Sequence, residues 1–350
     1  MTAPRVLFVS HNASRSGAPL LLLAFQRWLR EHTDVEVSTL LLDGGPIAAE
    51  FAGVGPVLAP EEADRARVDL VYLNTVGSAA ALARLAPGPR VLCHVHELDF
   101  ALTHWITEAD RAALRARVDR FVVVSDLVRE ALVRCVEVDP TKVVRHYGFI
   151  DVDRVRAAGA GARHPALPPR PVVGTSGTTE WRKAPDLFVA LAAAVRRQGV
   201  PAAFCWVGGA ASGPEIAGVL TDRDRAGLGP AVGFEGEQPD AARWFAGYDA
   251  FALLSRDDPF PLTCLECAAL GVPVVAFDST GAREFLADGC GVVVPYPDVE
   301  ALASELVALL GDGARRRSVV DRAARRVRAE HDLPVAAPRL YGELRSVLAA

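Results

Sequence analysis

The pattern that most restricts the fold of this chain is a repeated alternation of short apolar runs with helical stretches. Runs such as RVLFV at 5–9, EVSTLLL at 36–42 and RVLCHVHE at 90–97 are separated by polar loops and amphipathic segments. Short β-rich runs joined by helical patterns are typical of parallel strands with crossover helices. The alternation restarts at VVGTS (172–176) and continues to GVVVP (291–295). The sequence therefore predicts an α/β protein with two doubly wound halves.

The segment between the two halves has a different composition. DVDRVRAAGAGARHPALPPRP, which starts at residue 151, is rich in Ala, Gly, Pro and Arg and lacks a sustained apolar pattern. Such a stretch is typical of a linker, and a chain of 350 residues suits two domains. We predict an N-terminal domain at 1–155, a linker at 156–170 and a second domain at 171–330. Ligands of doubly wound sheets bind beyond the carboxyl ends of the strands, so two facing halves predict a cleft between them.

Charge and cysteine usage exclude several classes of protein. A net charge of −5 and a pI near 5.9 argue against a general nucleic-acid binder. No apolar run approaches the roughly 20 residues of a membrane span, and the N-terminal apolar stretch is too short for a signal peptide. The six cysteines mostly lie in apolar runs, as free thiols do in a reducing compartment. We therefore expect a cytoplasmic protein without a transmembrane segment.

Two features of the first half are candidates for ligand binding. A Gly17-Ala18 step precedes the first helix, but the full G-x-G-x-x-G fingerprint is absent. Either the loop needs a small residue, or a ligand approaches the backbone closely at the helix start; both interpretations stay open. His94 and His96 lie on one face of a strand by its period-two geometry. A lone strand histidine is more often structural, but two of them followed by Glu97 at the strand end favour a function.

A third candidate is the loop GTSGTTEWRKAPDLF, which follows the first strand of the second half. Small and hydroxyl residues leave backbone N–H groups free, and Arg182 and Lys183 stand just before a helix. Pro185 suits the first turn of that helix. Free amides, a helix dipole and two cations together favour a phosphate site over a solvated pair of cations.

The fourth candidate is RDDPFPLTCLEC, in which two acids flank a helix start. Asp258 lies in the loop at the carboxyl end of a strand, and Pro261 fits the start of the next helix. The amides of Leu262 and Thr263 are unpaired donors of the first turn, able to hold a phosphate. Glu266, one turn further, can accept hydrogen bonds from sugar hydroxyls. This arrangement fits a nucleotide sugar, and the alternative, a helix-capping Asp258 with a solvated Glu266, stays open.

These residues resemble a known family. Asp258-x7-Glu266, followed by LGVPVVAFDSTGAREFL, is similar to the E-x7-E segment of the retaining GT-B glycosyltransferases of family 4. SRSGAPLLLLAFQRWL resembles the first glycine loop and helix of that family, and WRKAPDLF its Lys-Gly helix start. LYGELRSVL resembles the helix that crosses back to the first domain, which assigns residues 331–350 to that helix. The resemblance implies two Rossmann-like doubly wound domains facing across a cleft.

The resemblance also implies roles for individual residues. Glu266 would hold the ribose hydroxyls and Asp258 the hydroxyls of the donor sugar. Lys183, with the amides near Leu262 and Thr263, would hold the diphosphate and stabilise its leaving charge. From the first domain, His96 would lie by the sugar and Gly17 would allow close approach of the first loop. The remaining donor-binding candidates are Arg182, Phe260, Pro261 and a base pocket lined by Phe234, Glu235 and Gly236.

The chain departs from the family pattern at several positions. Asp258 is one methylene shorter than the glutamate of the family, and Pro261 replaces a glycine and removes an amide. The second phosphate cation of the family would fall on Thr178, so Arg182 is the candidate substitute. Ser279-Thr280-Gly281 stands where the family often has a Gly-Gly pair. These departures affect the geometry of sugar recognition rather than the fold.

The predicted function is transfer of a sugar from a nucleotide diphosphate sugar, with a UDP-sugar favoured, to an acceptor hydroxyl with retention. No cofactor and no metal are expected, because Lys183 and helix amides can neutralise the leaving charge. The D-x-D within TDRD at 221–224 lies in a charged helical stretch. A nucleotide-sugar 2-epimerase and a non-catalytic nucleotide-sugar-binding protein are the alternatives. The near balance of charge over residues 1–150 favours a small acceptor, such as a natural-product intermediate, over a lipid.

Overall fold

The computed structural model describes residues 3–350, which form two compact units. Unit 1 extends to Phe149 and takes in Leu333–Ala350, and unit 2 is Ile150–Asp332. Residues 1 and 2, which begin the predicted N-terminal domain, lie outside the described residues. The first boundary falls six residues before the predicted end of the N-terminal domain at 155.

Unit 1 is a parallel α/β domain around one six-stranded sheet. Its strands are β1 (Arg5–Ser10), β2 (Glu36–Leu41), β3 (Leu70–Asn74), β4 (Arg90–Val95), β5 (Arg120–Val123) and β6 (Val143–Arg145). Its helices are α1 (Gly17–His32), α2 (Ala48–Val54), α3 (Pro60–Ala63), α4 (Asp99–His104), α5 (Glu108–Arg117) and α6 (Asp126–Val136). The strand order is β2-β1-β3-β4-β5-β6, with every pair parallel.

Unit 2 repeats this architecture with a second six-stranded parallel sheet. Its strands are β7 (Val172–Ser176), β8 (Ala203–Val207), β9 (Val232–Phe234), β10 (Ala250–Leu253), β11 (Val274–Phe277) and β12 (Val292–Val294), in the order β12-β11-β10-β7-β8-β9. Its helices are α7 (Val152–Gly159), α8 (Pro185–Arg197), α9 (Ala217–Arg225), α10 (Ala241–Phe245), α11 (Leu262–Ala269), α12 (Ala282–Leu286), α13 (Val299–Gly311) and α14 (Gly313–Glu330).

Burial on both faces explains why the strands read as continuous apolar runs. In β1 every residue after Arg5 is buried, and all residues of β3 and β8 are buried. Sheets covered by helices on both sides have this composition. The core of unit 2 includes an aromatic cluster in which Phe188 of α8 makes edge contacts with Phe204, Trp206 and Phe234. The two sheets confirm the predicted α/β class with two Rossmann-like domains.

The last helix of the chain, α15 (Leu333–Ala349), belongs to unit 1. It packs against α1 and β4, with Leu340 and Leu344 fully buried. The Nε2 atom of His146 lies 2.9 Å from the carbonyl oxygen of Ala336, which joins the residues after β6 to this helix. Part of the core of unit 1 therefore comes from the end of the chain.

Two local predictions differ from the structure. The run SAAALARL at 78–85 has a helical pattern and predicts an α-helix, whereas Val76–Ala83 is a 3₁₀ helix in the structure. Residues 156–159, predicted to start the linker, instead complete α7, which packs against α10 and α11. Helix α7 has only eight residues, and Val152 is the one residue of it that is fully buried. The sequence therefore shows no apolar period there that would indicate a helix. Among residues 3–350 no helix is both long and apolar enough to cross a membrane.

Candidate active site

Lys183 and Asp258 form the centre of the candidate site in unit 2. Lys183 ends a 3₁₀ turn (Trp181–Lys183) after β7, and Ala184 follows in the left-handed region, with φ 60°. Pro185 then starts α8, as predicted. The Nζ atom of Lys183 donates to Oδ2 of Asp258 at 2.5 Å. The structure therefore brings together the two residues that the sequence assigned to the phosphate loop and to the acidic segment.

Asp258 is held in the loop after β10. Asp258 is 5% exposed, and its Oδ2 atom also accepts a hydrogen bond from Oγ of Ser255 at 3.4 Å. Its carbonyl oxygen accepts from the amide of Gly281 at 3.0 Å. The residue before α11 is Pro261, and no side chain caps that helix. The alternative in which Asp258 is a helix-capping acid is therefore wrong: its carboxylate binds a cation instead.

Arg182, the candidate second phosphate cation, is also bound to acids. Its guanidinium donates to Oε1 of Glu180 at 2.6 Å and lies 3.9 Å from Oδ1 of Asp257. The carbonyl oxygen of Arg182 accepts from the amide of Arg256 at 2.7 Å. Arg256 in turn forms a two-bond ion pair with Asp186 of α8, at 2.9 and 2.6 Å. These bonds fix the loop after β7 to the loop after β10, the two loops that the predicted phosphate site requires.

The N-terminus of α11 provides backbone donors near this ion pair in sequence. Leu262 is its first residue, and the amide of Cys264 already donates to the carbonyl oxygen of Pro261 at 3.1 Å. The first-turn amides of a helix lack intrahelical acceptors, and the helix dipole adds a partial positive charge. The amides of Leu262 and Thr263 therefore suit an anion. Pro261 is buried and its missing amide costs the helix nothing at this position.

Glu266 lies on α11 and is half-buried. Burial raises the pKa of its carboxyl from 4.5 to about 7. A carboxyl with this pKa changes its charge near neutral pH, and perturbed groups of this kind cluster at functional sites. Glu266 is therefore not the solvated helix residue of the alternative interpretation.

Glycines allow the loops after β7, β8 and β9 to approach one another. Gly208 (φ 106°) donates its amide to the carbonyl oxygen of Gly236 at 2.7 Å. A Cβ atom on Gly208 would lie 2.7 Å from the carbonyl oxygen of Gly177, and one on Gly209 would lie 2.4 Å from the amide of Thr179. The loops after β7 and β8 can therefore pack this closely only because these positions lack side chains.

Two predicted donor-binding residues direct their rings into the protein. The ring of Phe234 packs 5.7 Å from that of Trp206 in the core of unit 2, so only its backbone can line a base pocket. Phe260 is 7% exposed and stacks on His331, with centroids 5.5 Å apart. Glu235, which follows Phe234, donates its amide to the carbonyl oxygen of Trp206, and burial raises the pKa of its carboxyl.

The unit 1 candidates lie at the carboxyl edge of the first sheet. His96 immediately follows β4, its ring centroid is 4.2 Å from that of His94, and burial lowers its pKa to about 3. Its amide donates to Oε2 of Glu97 at 2.9 Å. Tyr72 places its hydroxyl 2.6 Å from Nδ1 of His94. Gly17 is the first residue of α1 and is exposed.

Several residues of the site were missed in the sequence. Glu180, Ser255, Arg256 and Asp257 hold the predicted cations and acids in place, and His331 covers Phe260. The sequence signal was limited to their position in loops beside Lys183 and Asp258, which could not show which acid pairs with which cation. His331 is 71 residues from Phe260 and gave no signal.

The D-x-D of α9 has an ordinary surface role. Asp224 is bound by its neighbour Arg223 at 2.8 Å. Within the part of the chain that the structure describes, no group of three or more His, Cys, Asp or Glu side chains could hold a metal ion.

Comparison with known proteins agrees with this geometry. Residues 46–154 match the Glycosyltransferase Family 4 domain, and residues 170–312 match the Glycosyl transferases group 1 domain. Each unit therefore contains a segment that matches a glycosyltransferase domain. The first match covers strands β3 to β6 of unit 1, and the second covers the whole sheet of unit 2.

Curated relatives are glycosyltransferases as well. The chain is 32% identical over 157 residues to the lipopolysaccharide core biosynthesis mannosyltransferase LpsB of Rhizobium meliloti, covering 42% of this chain and 44% of that protein. It is 31% identical over 217 residues to the D-inositol 3-phosphate glycosyltransferase of Mycobacterium sp. (strain KMS), covering 59% and 48%. The chain thus spans about half the length of the curated relatives it matches.

A solved structure with the same fold is Anabaena HepE in complex with UDP-glucose. Its TM-score is 0.84 at 18% identity, and the match covers 98% of this chain and 99% of HepE. At this identity the likeness shows the fold alone, which is the predicted GT-B pair of Rossmann-like domains.

Proposed function

We propose that this protein transfers a sugar from a UDP-sugar to a hydroxyl of a small-molecule acceptor. The observation that carries the proposal is the ion pair between Lys183 and Asp258 beside the loop that leads to α11. The ion pair supplies a cation, which suits a diphosphate, and a carboxylate, which suits sugar hydroxyls. The first-turn amides of α11, which begins at Leu262, add further donors that suit a diphosphate. The glycosyltransferase domains of both units and the UDP-glucose complex of HepE support the same donor class.

In this proposal the donor lies along the carboxyl edge of the second sheet. Lys183 and the amides of Leu262 and Thr263 bind the diphosphate, with Arg182 as a second cation once a ligand competes with its acids. Glu266 accepts hydrogen bonds from the ribose hydroxyls. The glycine-bordered backbone at Gly236 lines the base pocket. In the structure Lys183 binds the carboxylate of Asp258. In this proposal the diphosphate of the donor replaces that carboxylate at Lys183.

The proposed reaction proceeds with retention and without a metal. The acceptor oxygen forms a bond to the anomeric carbon on the face from which the bond to the diphosphate oxygen breaks. The acceptor proton passes to the departing diphosphate, and Lys183 and the helix amides stabilise the charge of the leaving group.

A panel of nucleotide sugars tests the proposal. UDP-, GDP- and dTDP-sugars are added to the protein, and thermal unfolding is followed. A UDP-sugar at 100 times its Kd should stabilise the protein by about 2.7 kcal/mol. No stabilisation by any of the three classes would refute the donor assignment. Product analysis then separates the alternatives: an isomerised donor without acceptor indicates a 2-epimerase, and bound but unchanged donor indicates a binding protein.

A further inference from the structure

A cluster of polar side chains at the carboxyl edge of the first sheet is not explained by the packing of unit 1. This edge cluster consists of His11, Asn74, Thr75, His94 and His96, which come from the ends of β1, β3 and β4 or from the residues after them. Asn74 and His94 are directly opposite each other in the parallel register. The cluster therefore lies along one edge of a single sheet.

Asn74 is the most unusual member of the edge cluster. It is fully buried, yet neither Oδ1 nor Nδ2 has a hydrogen-bond partner among residues 3–350. The Nε2 atoms of His94 and His96 are buried and lack partners in the same part of the chain. Buried polar groups are nearly always hydrogen-bonded, and leaving them unpaired destabilises the fold. Four such atoms on adjacent strands indicate a site whose partners come from outside the chain.

Thr75 adds an independent observation. It has φ 88° and ψ 153°, a conformation that β-branched residues rarely adopt. Its amide donates to the carbonyl oxygen of His94 at 2.8 Å, and its Oγ1 lies 3.2 Å from Nδ1 of His11. Strained backbone of this kind concentrates at ligand sites. It also places Thr75 between His11 and the strand that carries His94.

The edge cluster contains no cation. Burial lowers the pKa of His11, that of His94 falls well below its usual value, and that of His96 falls to about 3, so all three imidazoles are neutral at pH 7. Glu97, a buried carboxylate in this region, accepts from the amide of His96. Its negative charge disfavours an anionic ligand. Arg15, in the loop after β1, has an exposed side chain.

We propose that Asn74 and His96 bind a hydroxyl group of an uncharged polyhydroxylated acceptor. This inference rests on the proposed function and specifies its acceptor class. A hydroxyl both donates and accepts, which matches the amide of Asn74 and a neutral imidazole together. A phosphate would need cations that the edge cluster lacks. His11 and His96 are partly exposed, so the ligand enters beside them.

The test compares Asn74→Leu with wild type. Because the substitution removes an unpaired buried amide, it should raise Tm by about 2–6 °C. It should also reduce, by at least about 10-fold, transfer from UDP-glucose to myo-inositol or to glucose, the neutral probes. UDP binding, measured by calorimetry, should not change. Gln26→Met is the matched control: Gln26 is equally buried but bonded to Thr39 at 3.0 Å, so its replacement should lower Tm.

Three results would overturn the inference. The first is an Asn74→Leu variant with lowered Tm, which would show that Asn74 is a structural residue. The second is a preference of wild type for D-inositol 3-phosphate over myo-inositol that disappears in Arg15→Ala. The third is transfer to the neutral probes that is absent in wild type or unchanged in Asn74→Leu, although both proteins bind UDP. Failure of UDP binding in wild type would instead refute the proposed function itself.

Discussion

Replacing Lys183 or Asp258 separately distinguishes a donor site from a structural ion pair. The side chain of Asp258 is 7% exposed and that of Lys183 20%. Removing one partner of a buried pair costs about 3–5 kcal/mol. In Lys183→Met the Oγ of Ser255 still faces the carboxylate of Asp258, and water reaches the site. We therefore expect this substitution to lower the free energy of unfolding by about 2–3 kcal/mol. Tm should then fall by about 4–12 °C.

Binding of UDP alone provides the decisive measurement, because UDP carries no sugar for Asp258 to contact. A charge-assisted hydrogen bond contributes about 1.5–3 kcal/mol, so Lys183→Met should weaken UDP binding by roughly 10- to 150-fold in calorimetry. Asp258→Asn removes the anion that competes with the diphosphate for Lys183. Its affinity for UDP should be equal to or higher than that of wild type, while its affinity for a UDP-sugar falls.

The reasoning is refuted if Lys183→Met binds UDP like wild type, or if Asp258→Asn weakens UDP binding as much as Lys183→Met does. Arg197→Met is the matched control. It breaks an ion pair with Glu300 in the same unit, but both side chains are more than 60% exposed. Exposed pairs contribute at most about 1 kcal/mol, so the control should leave UDP binding unchanged and shift Tm little.

The remaining predictions concern titration and the glycine-bordered edge. Because burial raises the pKa of Glu266 from 4.5 to about 7, its folded form keeps a proton that the unfolded chain releases, so the stability it contributes falls as pH rises through this range. The Tm of Glu266→Gln minus that of wild type should therefore be larger at pH 8 than at about pH 5, and a constant difference would contradict the assignment. The pKa of His96 is lowered from 6.5 to about 3, so the unfolded chain binds a proton that the folded form does not. Acidification from about pH 7 to pH 5 should lower the Tm of wild type more than that of His96→Gln, and equal losses would argue against burial of a neutral ring. Gly209→Ala places a Cβ 2.4 Å from the amide of Thr179 at φ 63°, so it should lower Tm and UDP affinity together, whereas Gly218→Ala, with no atom within 4 Å, should do neither.

Much of the fold could be predicted from the sequence, because a strand that is buried on both faces of its sheet consists almost entirely of apolar residues. RVLFV and VVGTS are apolar throughout since each strand lies between helices, and both are strands in the structure. The short helices α2 and α4 were missed, because they are seven and six residues long and cannot show an apolar period. α7 was assigned to a linker for the same reason.

The candidate site was predicted less completely than the fold. Lys183 and Asp258 were identified from loop position and helix starts, since the chain direction alone places both at the carboxyl edge. Their direct bond was not predicted, because it depends on which side chains meet across 75 residues. The same limit applies to Asn74, whose isolation is visible only when every neighbouring polar atom is placed.

The position of α15 has a consequence for biosynthesis. The surface formed by α1 and β4, on which α15 packs, is complete in sequence by residue 95, but its covering helix starts at Leu333. During translation this apolar surface remains uncovered while all of unit 2 is being made. The contact between Nε2 of His146 and the carbonyl oxygen of Ala336 likewise cannot form until α15 has been synthesised. A fragment ending at Phe149 would therefore expose the surface of α1 and β4 that α15 covers, and adding residues 333–350 as a separate peptide should restore its compactness.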